Sequence, residues 1–166
     1  KDLMRGVDDN QFAPEAEVNR AMLVTMLYRL EGTPTATTSN SFADVADNSW
    51  YTESILWASA NHLVSGYGKN QFGPEDGITR EQLAVVLLRY SQYKNYDTSK
   101  TADLSRFADG EQISSWAAPA LAWANAEGLI TGRGKTTMAP QGTVTRAEAA
   151  AILMRYMQTV AKDNNQ

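Results

Sequence analysis

Three arginines occupy one recurring position of a repeated segment: Arg20, Arg80 and Arg146. A glycine and then a proline precede the arginine at the same spacing in every copy, as in Gly66, Pro74 and Arg80. A guanidinium carries a permanent positive charge and a planar fork of N–H donors, which match the oxygens of a carboxylate or phosphate. The recurring position therefore marks each arginine as a candidate anion-binding group.

A helix N-cap precedes each of these arginines. Thr79-Arg-Glu-Gln82 and Thr145-Arg-Ala-Glu148 are capping boxes, and Asn19 retains the cap alone. Capping does not explain the arginine, because a cation in the first turn opposes the helix dipole by roughly 0.3–1 kcal/mol. Free first-turn amides together with the guanidinium would form an anion site. The alternative is a bridge from the arginine to Asp44 or Asp109, and the residues alone favour neither.

Three segments with this spacing predict a repeat protein. They cover residues 6–30, 66–90 and 132–156. In each segment a glycine-containing loop leads into an amphipathic helix with apolar residues spaced for one buried face. We predict that the following residues are buried: Leu23, Met26, Leu27, Leu30, Leu83, Val86, Leu87, Tyr90, Ala149, Ile152, Leu153 and Tyr156.

A further helix precedes the loop in the second and third copies. It is predicted over residues 50–61, with Asp47 and Ser49 as caps, and again from Trp116 onward in the third copy. His62 and Gly128 follow these helices and suit a left-handed C-terminal residue. The predicted buried side of the first is Tyr51, Ile55, Ala58 and His62.

The composition of the chain excludes several classes of protein. The chain has 166 residues, 43% of them hydrophobic, which is enough for one core. The absence of cysteine excludes disulfides and thiolate metal sites. A net charge of −4 argues against general nucleic-acid binding, and no apolar run predicts membrane insertion. Residues 162–166 are predicted to be a frayed polar tail.

Catalytic patterns are weak in this sequence. His62 is the one histidine, and Gly66-Tyr-Gly68 lacks the third glycine of a dinucleotide fingerprint. The acidic residues near Asp44 do not have the spacing of a calcium loop. We therefore predict no enzyme, cofactor or metal, although an enzyme built on a carboxylate pair stays open as an alternative.

Exposed aromatic and basic groups are further candidates for ligand contact. Trp50 and Trp116 stand at predicted helix starts, where a core position is the commoner role and a stacking surface for a sugar the alternative. Basic side chains on loops are usually just solvated. The glycine loops carry Tyr67, Lys69, Arg133 and Lys135.

These residues resemble the S-layer homology (SLH) motif. One copy comprises Phe42-x-Asp-Val45, Trp50, Ile55, Ala58, Gly66, Phe72-x-Pro74 and Ile78-Thr-Arg-Glu81. A second comprises Phe107-x-Asp109, Trp116, Leu121, Ala124, Gly132, Pro140 and Val144-Thr-Arg-Ala-Glu148. The latter half of another comprises Leu3, Gly6, Phe12-x-Pro14 and Val18-Asn-Arg-Ala21.

The resemblance implies an all-α fold, a pseudo-threefold spindle of helix-loop-helix repeats around a central helix bundle. On this basis the chain is one module with a partial repeat at 1–32 and repeats at 42–91 and 107–157. Such modules anchor exported bacterial proteins to the cell wall. We expect this one to be monomeric, extracellular and part of a larger protein of the wall or S-layer.

The resemblance also implies a ligand, an anionic, pyruvylated secondary cell-wall polysaccharide in grooves between repeats, with peptidoglycan as another wall component. The arginine of each Thr-Arg-Ala-Glu motif helps to hold the acid group. The alternative is a protein–protein module for surface-layer assembly. The predicted ligand-binding residues are Arg20, Arg80, Arg146, Asp44, Trp50, Asp109, Trp116, Gly66, Tyr67, Gly68, Lys69, Gly132 and Arg133.

Overall fold

A computed structural model describes Met4, residues 12–134 and residues 136–164 of the chain. Within these residues the chain is helical and contains isolated β-bridges but no strand, which confirms the all-α class. The predicted positions Leu3, Gly6 and Lys135 lie outside the described residues. The α-helices are α1 (Arg20–Leu30), α2 (Thr52–Ala60), α3 (Arg80–Tyr93), α4 (Ala118–Ala126), α5 (Arg146–Gln158) and α6 (Val160–Asn164).

Side-chain caps start α1, α3 and α5 where the sequence predicts them. Asn19 Oδ1 accepts from the amide of Met22 at 2.8 Å. Thr145 Oγ1 accepts from the amide of Glu148 at 3.2 Å, and Glu148 Oε2 accepts from the amide of Thr145 at 2.9 Å. Thr79 forms the same reciprocal box with a glutamine. Each cap contributes about 0.5–2 kcal/mol, so these helices begin at their arginines.

The starts of α2 and α4 differ from the prediction. No side chain caps either helix, and α2 begins at Thr52, so Asp47 and Ser49 are not its caps. The Thr52 hydroxyl donates to the Ala46 carbonyl at 2.6 Å and accepts from the Ser49 amide at 3.0 Å. The Thr52 hydroxyl thus closes the turn before α2, and Trp50 lies in that turn.

Helix ends follow the sequence more closely. His62 and Gly128 both have positive φ, 58° and 71°, as predicted after α2 and α4. His62 is exposed, so its placement on a buried face was wrong, and Leu30 at the end of α1 is only half-buried. The predicted frayed tail is also wrong as far as Asn164, because α6 covers this segment and buries Val160.

The chain divides into two compact units, residues 1–78 and residues 79–166. In the first unit α1 packs against α2. The two helices share a buried hydroxyl pair, Thr25 and Ser54, with oxygens 2.7 Å apart. Tyr28 and Trp57 pack with ring centroids 5.7 Å apart.

In the second unit α3 packs against α4, and α5 packs against α6. Tyr156 of α5 lies against Tyr90 of α3, with ring centroids 5.9 Å apart, and its hydroxyl is 2.9 Å from Ser91 Oγ. Leu83, Leu87 and other apolar side chains are fully buried, at about 1.5–3 kcal/mol each. This packing fixes the first turn of α3, where Arg80 lies.

The first unit combines the later helix of the partial repeat with the first helix of the next, and the second unit combines the later helix of repeat 42–91 with both helices of repeat 107–157. The division after Ile78 falls inside the predicted repeat 42–91. The repeat boundaries therefore stay a prediction about the sequence. None of the helices within the described residues has both the length and the apolarity of a membrane span.

Candidate ligand-binding site

The first-turn amides of α1 are not free. The amide of Arg20 donates to the carbonyl of Asp76 at 2.9 Å, and the amide of Ala21 donates to the carbonyl of Pro74 at 3.0 Å. The third amide of the helix binds the Asn19 cap. The loop that contains Pro74 and Asp76 thus fills this helix terminus.

The first turn of α3 makes the equivalent bonds in the second unit. The amide of Arg80 donates to the carbonyl of Gly142 at 2.9 Å, and that of Glu81 donates to the carbonyl of Pro140 at 3.0 Å. The prediction that the first-turn amides are free to bind an anion is therefore wrong for α1 and α3. Only the guanidinium groups remain as candidate donors there.

Arg20 is buried and holds the loop of its own unit. Its Nε donates to the Phe72 carbonyl at 3.0 Å, and its Nη2 donates to the Ser65 carbonyl at 2.8 Å. The guanidinium carbon lies 4.6 Å from the centre of the Tyr67 ring. Burial lowers the pKa of Arg20, while Tyr67 and nearby carboxylates oppose that shift. Arg20 is thus an internal bridge, but to carbonyl oxygens and not to an ion-paired aspartate.

Asp109 and Asp44 each bind two consecutive backbone amides of the loop that follows a glycine. Asp109 accepts from the amides of Met138 and Ala139, both at 2.7 Å. Asp44 accepts the same pair of bonds from residues 72 and 73, at 2.8 and 2.7 Å. The Met138 amide is the main cause that lowers the pKa of Asp109. These two predicted ligand-binding residues therefore shape the loops.

Arg80 differs from Arg20 in one donor. It is 4% exposed, and its Nε donates to the Met138 carbonyl at 2.9 Å. Nη1 lies 3.6 Å from Glu148 Oε1. Nη2 is buried and has no hydrogen-bond partner among the described residues. Burial lowers the pKa of Arg80, although Glu148 opposes this.

A cavity of about 170 Å³ lies beside this guanidinium and is called the Arg80 pocket below. Two cations line it, Arg80 and Arg155, together with one carboxylate, Glu148. Arg155 Nη1 donates to the Leu129 carbonyl at 3.3 Å. The rest of the wall is formed by residues 129–132 of the loop and by Ala151 and Ile152 of α5.

Arg133 forms a two-pronged ion pair with Glu148 at the same place. Its Nε lies 3.0 Å from Oε1, and its Nη2 lies 2.7 Å from Oε2. Burial opposes ionisation of Glu148, but the bonds from Arg133 and from the Thr145 amide outweigh it and lower its pKa. The structure thus brings together Arg80, Arg133 and Glu148.

The aromatic candidates are exposed. Trp50 and Trp116 expose 59% and 57% of their surface, and Tyr67 exposes 55%. The core role for these tryptophans is therefore wrong, and both offer a flat face for stacking. Trp50 contacts Tyr51 edge-on, with ring centroids 5.2 Å apart.

The glycine candidates have steric roles. A Cβ at Gly132 would lie 2.7 Å from the Thr137 carbonyl oxygen, and its φ is +102°. A Cβ at Gly66 would lie 2.5 Å from the Gln71 carbonyl oxygen. Gly68 has a φ of +87°, and Lys69 after it is exposed. Among the predicted arginines, Arg146 is also buried, with 5% exposed.

Local signals assign other roles to two residues of the pocket. Glu148 completes the capping box with Thr145, and Arg155 is a cation in the last turn of α5, where it favours the helix dipole. Both roles are local, whereas the pocket depends on how α5 lies against the loop. One feature of the sequence could have drawn attention to Glu148: the equivalent position of the preceding repeat is occupied by the uncharged Gln82.

Comparison with known proteins supplies the family. The S-layer homology domain matches residues 41–84 and 106–150, which together make up more than half of the chain. The chain belongs to the S-layer homology domain family. The resemblance of the SLH motifs is thereby confirmed for both complete copies.

Relatives of this SLH chain are much longer. It is 35% identical over 94% of its length to an amylopullulanase of Thermoanaerobacterium thermosulfurigenes, of which it covers 8%. It is 34% identical over 98% of its length to the exoglucanase XynX of Acetivibrio thermocellus, covering 15% of that protein. A cellulosome-anchoring protein of Acetivibrio thermocellus is 26% identical over 93% of the chain, which covers 35% of it.

Proposed function

We propose that this SLH chain is a non-catalytic anchoring module that holds an exported bacterial protein at the cell wall. Its ligand is an anionic, pyruvylated secondary wall polysaccharide, whose acid group enters the Arg80 pocket. The buried Nη2 of Arg80, which has no partner among the described residues, carries this proposal. A buried charged donor gains a hydrogen bond when an acceptor enters, so an occupied pocket is favoured.

Charge and size support an acid group as the occupant. Arg80 and Arg155 line the pocket against one carboxylate, so the lining carries a net positive charge. A volume of about 170 Å³ is below the roughly 300 Å³ of a pocket that encloses a whole small molecule. The pocket therefore suits one substituent of a sugar, and the rest of the polymer lies outside it.

The exposed tryptophans supply a second type of contact. A flat, half-exposed indole stacks on the apolar face of a sugar ring at low entropic cost. Trp116 occupies the repeat position of Trp50, and more than half of each is exposed. In this proposal Trp116 contacts sugar residues while the pocket holds the acid group.

The anchoring role also agrees with the relatives. One is named a cellulosome-anchoring protein, and two are enzymes that match this chain over 8% and 15% of their length. A segment shared by such different proteins is expected to serve a common need, such as attachment, and not their separate reactions. The threefold arrangement of repeats expected of the family is part of this proposal.

Co-sedimentation with purified Gram-positive-type cell walls tests the proposal, before and after acid extraction of their secondary polymers. We expect pelleting that is lost on extraction. Arg155→Gln should weaken it by about tenfold or more, since a charge-assisted contact contributes about 1.5–3 kcal/mol. Arg89→Gln is the matched control, because Arg89 holds the equivalent position on α3 and does not line the Arg80 pocket.

Pelleting that survives extraction would identify peptidoglycan as the ligand and contradict the polymer assignment. No pelleting at all would contradict wall anchoring. Pull-down of a surface-layer protein by the same chain would then support the protein–protein alternative.

A further inference from the structure

The carboxylate of Glu148 stands where a ligand's acid group would need donors. It lies 3.6 Å from Arg80 Nη1 and accepts two bonds from Arg133, at 3.0 and 2.7 Å. It also lines the Arg80 pocket. Two of the cations nearest to the pocket are thus already paired with an anion of the chain itself.

We propose that Glu148 is an internal competitor that lowers the affinity of the Arg80 pocket for anions and so sets its selectivity. The inference rests on the proposed function of that pocket. An entering carboxylate meets a like charge at Glu148 and competes with it for Arg80 and Arg133. The pocket therefore discriminates against weakly held monoanions and selects ligands that gain further contacts outside it.

The chain contains a natural comparison for this residue. Gln82 takes the place of Glu148 in the preceding repeat, and it completes the same capping box with Thr79, whose amide donates to Gln82 Oε1 at 3.0 Å. A glutamine at position 148 should therefore keep the cap and remove only the charge. The cap and the competition for arginine are separable properties of this side chain.

The test is an NMR titration of the isotope-labelled chain with sodium acetate at constant ionic strength, followed at the amides of Thr131 and Gly132. Glu148→Gln should bind acetate about fivefold more tightly, as expected for removing a charge about 4 Å away from a partly exposed site where the effective dielectric constant is close to that of water. Arg133→Gln should bind more weakly, because it leaves Glu148 uncompensated. Glu111→Gln is the matched control, because it removes an exposed carboxylate that does not line the pocket, and it should change the acetate affinity much less.

Opposite changes in the two variants support the inference, since loss of a merely structural ion pair would move both the same way. An unchanged or weaker affinity in Glu148→Gln overturns it, and so does the absence of acetate shifts in every variant. Binding to cell walls is measured separately. Acetate results as expected without wall binding would overturn the proposed function and leave this inference standing.

Discussion

Replacing Asp109 by alanine should destabilise the second unit by about 2 kcal/mol, because hydrogen bonds to a charged group contribute about 1.5–3 kcal/mol each and water recovers part of their loss. The carboxylate accepts from the amides of Met138 and Ala139, both at 2.7 Å. Its partial exposure admits the water that replaces these bonds in part. Asp109→Asn keeps one acceptor oxygen, so the loss in the free energy of unfolding should be about half as large.

Urea denaturation followed by tryptophan fluorescence measures the change. The midpoint should fall at an unchanged slope, because the surface exposed on unfolding is the same. Glu111→Ala is the control, since Glu111 is an exposed carboxylate close by in the chain. If Asp109→Ala costs no more than that control, the clamp on the loop contributes nothing and the reasoning is refuted.

The pH dependence of the same variant gives a second check. The pKa of Asp109 is lowered in the folded chain by the Met138 amide. The charged form therefore stabilises the fold fully above the unfolded pKa of about 3.9, and this is lost as pH falls through the lower folded value. The difference between wild type and Asp109→Ala should shrink in acid, and one that stays constant would contradict the assignment.

Three further variants have defined outcomes. Thr145→Ala should lose about 0.5–2 kcal/mol of stability in urea whether or not ligand is present, because it removes a cap. Gly132→Ala should lower the free energy of unfolding by about 1–3 kcal/mol, because its φ is +102° and a Cβ would meet the Thr137 carbonyl oxygen. Trp116→Ala should change stability by less than about 0.5 kcal/mol but reduce wall pelleting; equal pelleting would remove the tryptophan from the site.

Local sequence signals predicted the starts of three helices and the ends of two. A cap acts within the first turn of its helix, so the capping roles of Asn19 and Thr145 can be predicted from the sequence without knowledge of tertiary contacts. The positive φ of His62 and Gly128 was also predictable, because it depends on the residue type that follows the helix end. The start of α2 was missed because the Thr52 hydroxyl bonds backward to Ala46, a contact that no cap pattern encodes.

The ligand-binding role of the candidate residues stays a prediction, and the sequence did not show how they are arranged. The recurring position singled out Arg80, whose Nη2 is buried and has no hydrogen-bond partner within the part of the chain that the structure describes. The sequence did not show that loop carbonyls occupy the first-turn amides, because the bonded residues lie far apart in the chain. Nor did it show that Arg133 pairs with Glu148, which requires the loop to fold back onto α5.

Chemical-shift mapping tests binding in the Arg80 pocket directly, with the polymer released from cell walls by enzymatic digestion of the peptidoglycan so that its acid-labile pyruvyl groups are kept. We expect shifts that concentrate at the amides of Thr131 and Gly132 and at Arg80 Nε, and that weaken in Arg155→Gln. Shifts confined to other surfaces, or no shifts at polymer concentrations that compete with walls, would contradict binding in the Arg80 pocket.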